Sequence, residues 1–311
     1  MRVRRATVST LIGVFMFLAG TFVFLLPGID ALRLQQRYER ELAHFPGEES
    51  LAQQQEGGES DAAKDRDEAY QFLLAYNERV IAGIAGAVND PWGLGSDVDA
   101  LESVGMGDAV VGVLRVGRLN LEVPIFLGAS SDHMARGCAV ISGTSAPLGQ
   151  STSNVVIAGH RGMLFRDIED IQPGEVLTIE TRWDTLTYQA VGSRVISPND
   201  AQAVGIQKGH DLVTLLTCHP YGHNTQRYLA IFERVHQTDV TDGGSFDSLA
   251  LFSPLRAIAE AFAPCDSIQL RIERWLRVAG FALLMFIPVL RFRMTRLSYR
   301  GDRNGKSHDG L

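Results

Sequence analysis

Asp211-Leu-Val-Thr-Leu-Leu-Thr-Cys218, followed by Pro220-Tyr-Gly-His-Asn-Thr225, Arg227 and the run 228–235, is the stretch on which the fold turns. Two β-branched, apolar runs flank a turn rich in Pro, Gly and Asn, so they read as neighbouring antiparallel strands. That pairing places a cysteine at the end of one strand opposite an arginine at the start of the next.

Working outward, short β-like runs recur at 110–116, 121–125, 140–142, 154–159, 176–180 and 186–196. With 211–218 and 228–235 they make eight strands over about 125 residues, the pattern of a closed or nearly closed all-β barrel rather than of alternating α and β units. Connecting helices are few, with 165–171 the clearest. The fold expected is therefore mainly β: an eight-stranded barrel over 105–240 and a C-terminal extension over 241–273.

Upstream of the barrel, Ala69, Phe72, Leu73, Tyr76, Val80 and Ile81 recur at helical spacing within 61–87 and predict an amphipathic helix that ends before the Gly83 to Gly86 region. A turn-rich loop with one large aromatic comes next, Asn89-Asp90-Pro91-Trp92-Gly93, within a helix-and-loop region 61–100. Residues 28–60 carry Gln35-Gln36, Gln53-Gln54-Gln55 and Gly57-Gly58 among many charges, which reads as a solvated stalk with some helix, or as disorder.

The two ends decide the compartment. Residues 6–27 contain no charge, and about twenty such residues match a hydrocarbon core of about 30 Å at 1.5 Å per residue. Arg2, Arg4 and Arg5 precede them, so the expected N-terminus (1–5) is cytoplasmic and the chain beyond Pro27 is extracellular. A retained anchor is expected rather than a cleaved signal peptide, because the run exceeds most signal cores and no small-x-small site lies after it. A second apolar segment, 274–290, is bounded by Arg291 and contains Trp275 and Pro288. It is expected to span as well, its arginines snorkelling to the interfaces. The tail 291–311 carries Arg291, Arg293, Arg296, Arg300, Arg303 and Lys306, which again favours the cytoplasm.

Charge divides along the same lines. The formal net charge is −7 and the basic ends supply +3 and +4, so residues 28–290 carry −14. An acidic outer part without clustered cations argues against nucleic acid as a partner. The three cysteines are Cys138, Cys218 and Cys265, and an odd number leaves at least one free thiol. Whether Cys138 and Cys265 pair is left open by the sequence.

A thiolate is the nucleophilic form of cysteine, and a nearby cation or base generates it. His160, in Ile157-Ala-Gly-His-Arg-Gly162, can move protons to and from attacking and leaving amines. Arg227 can donate to an oxyanion or hold a carbonyl. Zinc held by Cys218, His219, His223 and His160 is the competing use of these residues. However, Cys218 and His219 are adjacent and would point to opposite faces of a strand.

Taken together, Thr214-Leu-Leu-Thr-Cys218-His-Pro-Tyr-Gly222 with Asn224-Thr-Gln-Arg227, and Ala158-Gly-His160-Arg-Gly162 upstream, resemble the sortase family, cysteine transpeptidases of Gram-positive cell surfaces. The resemblance covers roughly 120–235 and takes in Pro124-Ile125 and Gly143-Thr-Ser-Ala-Pro147. It implies Cys218 as nucleophile, His160 as general acid/base and Arg227 as the oxyanion or substrate-positioning arginine, with no cofactor and no metal. Asp90-Pro91-Trp92 resembles the lid of the pilus-building class C, in which the aspartate reaches toward the active site and the aromatic ring covers the cysteine. A C-terminal membrane segment fits that class too. Where class C commonly has threonine after the cysteine and histidine before the arginine, this chain has His219 and Gln226, and His223 lies in the same turn.

The activity so implied is cleavage of a Leu-Pro-x-Thr-Gly-like sorting signal between Thr and Gly. Transfer to a lysine of the next pilin would then form an isopeptide bond. The partners implied are secreted pilins or surface proteins bearing a C-terminal sorting signal, an acceptor amine and the membrane. A housekeeping-type enzyme that anchors surface proteins to a peptidoglycan precursor is the alternative, and a silent adhesion domain is a third reading.

Overall fold

In the computed structural model the described residues are 2–43, 45, 61–83, 106–235, 268 and 271–282. They fall in two compact units, one of residues 1–31 with 248–311 and the other of residues 32–247.

In the first unit, helix α1 (Arg2–Leu42) begins and residues 271–282 are helical. Val14, Phe15, Met16, Phe17, Leu18, Phe22 and Leu26 are exposed along α1, and Trp275 and Leu276 along the second helix. Among the described residues, no helix is long and apolar enough to cross a membrane. The two spans expected at 6–27 and 274–290 therefore gain no support from it, and part of each lies outside the side chains described.

The second unit is built on eight strands: β1 (Gly112–Val116), β2 (Leu121–Leu127), β3 (Cys138–Val140), β4 (Ser153–Ala158), β5 (Val176–Thr181), β6 (Thr185–Ile196), β7 (Asp211–His219) and β8 (Gln226–Arg234). They close into a barrel in the order β1-β2-β3-β4-β7-β8-β6-β5, with β5 returning to β1. Seven of the eight sequence-expected runs match strands to within a few residues at the ends, while the run expected at 140–142 shares only Val140 with β3. The expected helix at 165–171 is a single 3-10 turn, Ile168–Asp170.

Closure works because alternate residues face opposite sides of each strand. Val155 and Ile157, Val213 and Leu215, and Tyr228, Ala230 and Phe232 point into the barrel and fill one core. Val156 and Ala158, Leu216 and Leu229 point outward and form a second apolar layer with Phe126, Met134, Ile196 and Val204. Burial of both faces explains why β7 reads as a nearly continuous apolar run rather than an alternating one. Each fully buried Leu, Ile or Phe contributes about 1.5–3 kcal/mol relative to exposure. Helix α3 (Ser131–Arg136) and the 3-10 turn Ala201–Val204 bring Met134 and Val204 to this outer layer.

Helix α2 (Asp61–Ile81) packs Ala69, Phe72, Leu73 and Tyr76 on the inner core, as its periodicity requires. It ends at Ile81, before Gly83 as expected, and Ile81 is exposed. Asn77, unremarkable in the sequence, is the buried one: its side chain donates to the Ala146 carbonyl at 3.0 Å and accepts from the Ala146 amide at 2.7 Å. Residues 32–42, expected within the stalk, are instead the last turns of α1. Tyr38 is buried there, and Glu41 accepts from Arg136 at 2.8 Å. Hydrophobic packing of Leu34 and Tyr38 outweighs the polar composition that suggested a solvated segment.

Candidate active site

β7 and β8 are joined by a tight turn in which the Pro220 carbonyl accepts from the amides of His223 and Asn224. Gly222 and Asn224 have positive φ, which glycine adopts freely and asparagine tolerates. This turn sets the register so that Cys218 pairs directly with Arg227. Directly paired residues share a face, so thiol and guanidinium stand on the same side of the sheet.

His160 arrives by a different route. β4 runs parallel to β7, with Ala158 opposite Leu216, and the Gly159 amide donates to the Leu216 carbonyl at 3.1 Å. Two residues further on, His160 reaches the level of Cys218. Its parity with Val156 and Ala158 puts it on the outer face as well. The end of β4 thus leads His160 toward the barrel edge where Cys218 and Arg227 pair, near Ala158, Leu216 and Leu229 in the chain.

Each side chain is conditioned by its surroundings. Cys218 is a free, partly buried thiol. Burial lowers the His160 pKa below its usual value, so the imidazole is neutral and able to accept a proton at neutral pH. Arg227 donates through Nη1 to the carbonyls of Asn224 (3.2 Å) and Gln226 (2.9 Å), which anchors the guanidinium over its own turn. Among the described residues its buried Nε has no partner.

The two extra histidines behave differently from each other. His223 is exposed in the turn. His219 is buried on the opposite face of β7 from Cys218, with Nδ1 3.1 Å from Glu169 Oε1, so it does not face the thiol. Among the described residues, no group of three or more histidine, cysteine or acidic side chains is placed to hold a metal ion. Asp90, Pro91 and Trp92, the expected lid, lie outside the described residues, as does Cys265. Cys138 is fully buried, donating to the Pro124 carbonyl, and burial raises its pKa far above that of an exposed thiol.

Sequence reasoning missed Arg161, Glu169 and Thr217. Thr217 donates through Oγ1 to the Gly159 carbonyl at 2.7 Å, tying the strand end that carries Cys218 to the one that carries His160. Arg161, 4 % exposed, donates to Glu169 at 2.6 Å. The Gly-His-Arg-Gly and Thr-Cys-His contexts held these residues in view. Nothing in the spacing pointed to Glu169 as their shared partner.

A thiol paired with a guanidinium across β7 and β8 and a neutral imidazole just beyond the end of β4 are the kinds of group that thiol-based acyl transfer uses. Residues 114–235 match the sortase domain family, and the barrel belongs to that family. Sortase D of Bacillus subtilis is 25% identical over 127 residues, covering 40% of this chain. The chain spans 63% of the length of that relative. Among solved structures, sortase C-3 of Streptococcus pneumoniae is 30% identical with a TM-score of 0.51, covering 56% of this chain and 84% of that one. Sortase C1 of pilus island 1 of Group B Streptococcus is 27% identical with a TM-score of 0.50, covering 60% and 90%.

Proposed function

We propose that this chain is a membrane-anchored cysteine transpeptidase that cleaves a Leu-Pro-x-Thr-Gly-like signal between Thr and Gly and joins pilins through a lysine isopeptide bond. The observation that carries the chemistry is the register pairing of Cys218 with Arg227, beside the strand end that leads into His160.

In the first half-reaction His160 takes the thiol proton as Cys218 Sγ attacks the threonine carbonyl carbon. A C–S bond forms, and Arg227 donates to the oxyanion. The C–N bond then breaks as the imidazolium returns its proton to the departing glycine amine, leaving a thioacyl enzyme. In the second, a lysine amine attacks the thioacyl carbon and gives a proton to His160, and the C–S bond breaks to restore the thiol. The outer apolar layer keeps water from the thioacyl group, which favours an amine over hydrolysis.

Membrane anchoring is supported by the uncharged run 6–27 and by the exposed Phe15, Leu18 and Phe22 within it. Arg2, Arg4 and Arg5 argue for a cytoplasmic N-terminus and an extracellular barrel. The pilin assignment draws on the likeness to a sortase of a pilus island and on Asp90-Pro91-Trp92. The second reading is attachment of surface proteins to a peptidoglycan amine.

Incubating the full chain in detergent with a sorting-signal peptide and either a pilin lysine donor or a cross-bridge amine separates these readings by mass of the product. Cys218→Ala is expected to abolish product, and His160→Ala or Arg227→Ala to reduce it by a factor of about 1,000 or more. Product formation by Cys218→Ala refutes the nucleophile. For the lid, Asp90→Ala or Trp92→Ala is expected to speed alkylation of Cys218 by a thiol reagent. Unchanged labelling would refute a cover over the thiol.

A further inference from the structure

Beneath the catalytic edge, on the inner side of the sheet, one carboxylate joins His219 of β7 to Arg161 in the turn that follows β4. Glu169 Oε1 accepts from Arg161 Nη2 at 2.6 Å and lies 3.1 Å from His219 Nδ1. Because a carboxylate accepts, His219 carries its proton on Nδ1. All three side chains are nearly dry, at 3%, 11% and 7% exposure for Arg161, Glu169 and His219. Tyr228 lies against both donors, its ring centroid 5.9 Å from the Arg161 guanidinium carbon and 5.9 Å from the His219 ring. Among the described residues Arg161 Nε and Nη1 have no hydrogen-bond partner, and Nη2 holds Glu169.

The positions in the chain give this cluster its meaning. Arg161 directly follows His160, and His219 directly follows Cys218. β4 and β7 are held parallel by backbone bonds up to Gly159 and Leu216, just before the reacting residues begin. Past that point the gap is crossed by the bond from Thr217 to Gly159 and by the carboxylate of Glu169. The 3-10 turn Ile168–Asp170 carries Glu169, and the His160 carbonyl accepts from the Phe165 amide at the start of the same loop.

We propose that Glu169 is a positioning residue: by holding Arg161 and His219 with one carboxylate oxygen, it fixes the spacing of His160 and Cys218. This rests on the acyl-transfer reading above. Displacement of a reacting group by about 1 Å costs on the order of 100-fold in rate, so a link of this kind acts on kcat while leaving substrate binding alone.

The test uses the full chain in detergent. Glu169→Ala is expected to lower kcat at least about tenfold with KM within about twofold of wild type. Glu169→Gln, whose carbonyl can take both donors, is expected to recover most of that loss. Arg161→Met combined with Glu169→Met removes the buried charges together and is expected to melt near wild type while kcat stays low. If kcat recovers together with the melting temperature in this double variant, the cluster is a structural ion pair and the proposal is overturned. Alkylation of Cys218 by iodoacetamide needs no substrate and is expected to slow at least about threefold in the double variant, because His160 no longer meets the thiol. An unchanged alkylation rate also overturns the proposal. A wild-type chain that processes no peptide beyond its Cys218→Ala control fails the acyl-transfer reading instead, and the alkylation result still judges the role of Glu169.

Discussion

Gly159→Ala tests how tightly the His160 loop is built. A methyl group there would sit 2.5 Å from Phe165 Cε2 and 2.7 Å from its Cδ2, against an ordinary contact of 3.4 Å or more, so the ring has to move by about 1 Å. It has little room to do so, because Phe165 is fully buried in the barrel core and its amide donates to the His160 carbonyl. Overpacking of this kind costs roughly 1–3 kcal/mol. A value of about 2 kcal/mol lowers the folded-to-unfolded ratio about 30-fold. For a unit of this size it lowers Tm by about 6 °C. His160 shares the displaced backbone, so the transfer rate falls further than stability alone would require. Thermal melting and peptide transfer measured on the same preparation read both effects. Phe165→Leu makes space, and its combination with Gly159→Ala is expected to cost at least about 1 kcal/mol less than the two single changes added together. A Gly159→Ala chain that melts within about 1 °C of wild type with unchanged kcat, or strictly additive costs in the double variant, would refute this packing argument.

Two pH dependences arise from burial. Because burial depresses the His160 pKa, the neutral base persists below pH 6.5, the ordinary histidine value, and the acidic limb of kcat/KM has its midpoint below that value. A midpoint at or above 6.5 would count against a half-buried imidazole acting as the base. Asp211 has the opposite sign: burial raises its pKa, only partly offset by Ser153, Arg234 and Tyr188. A carboxyl raised in the fold contributes stability at low pH and loses it as pH rises through the folded value, so the stability of wild type relative to Asp211→Asn should grow between pH 7 and pH 4.5. Denaturant titrations at the two pH values measure the gap, and a constant gap would show that the carboxyl is not raised.

The Cys218 and Arg227 pairing was legible because a short hairpin is a local object. Turn residues and strand lengths between 211 and 235 suffice to set which side chains oppose each other. The eight strands were legible for the same reason, each being a short apolar run bounded by turn residues. Helix α2 was legible in its apolar face and in its end before Gly83, but the burial of Asn77 depends on the Ala146 loop. The last turns of α1 were misread, since their glutamines and charges hide the two residues, Leu34 and Tyr38, that meet the core.

The sequence by itself determined the class of chemistry, the all-β architecture and the uncharged and basic stretches at both ends, because each depends on residue type and near-neighbour spacing. Tertiary structure alone decided the rest. The parallel pairing of β4 with β7 joins segments some sixty residues apart and brings His160 level with Cys218, and no local pattern records that register. The same holds for strand faces: alternation turns His219 away from the thiol and toward Glu169, a carboxylate that becomes its partner only when the barrel closes.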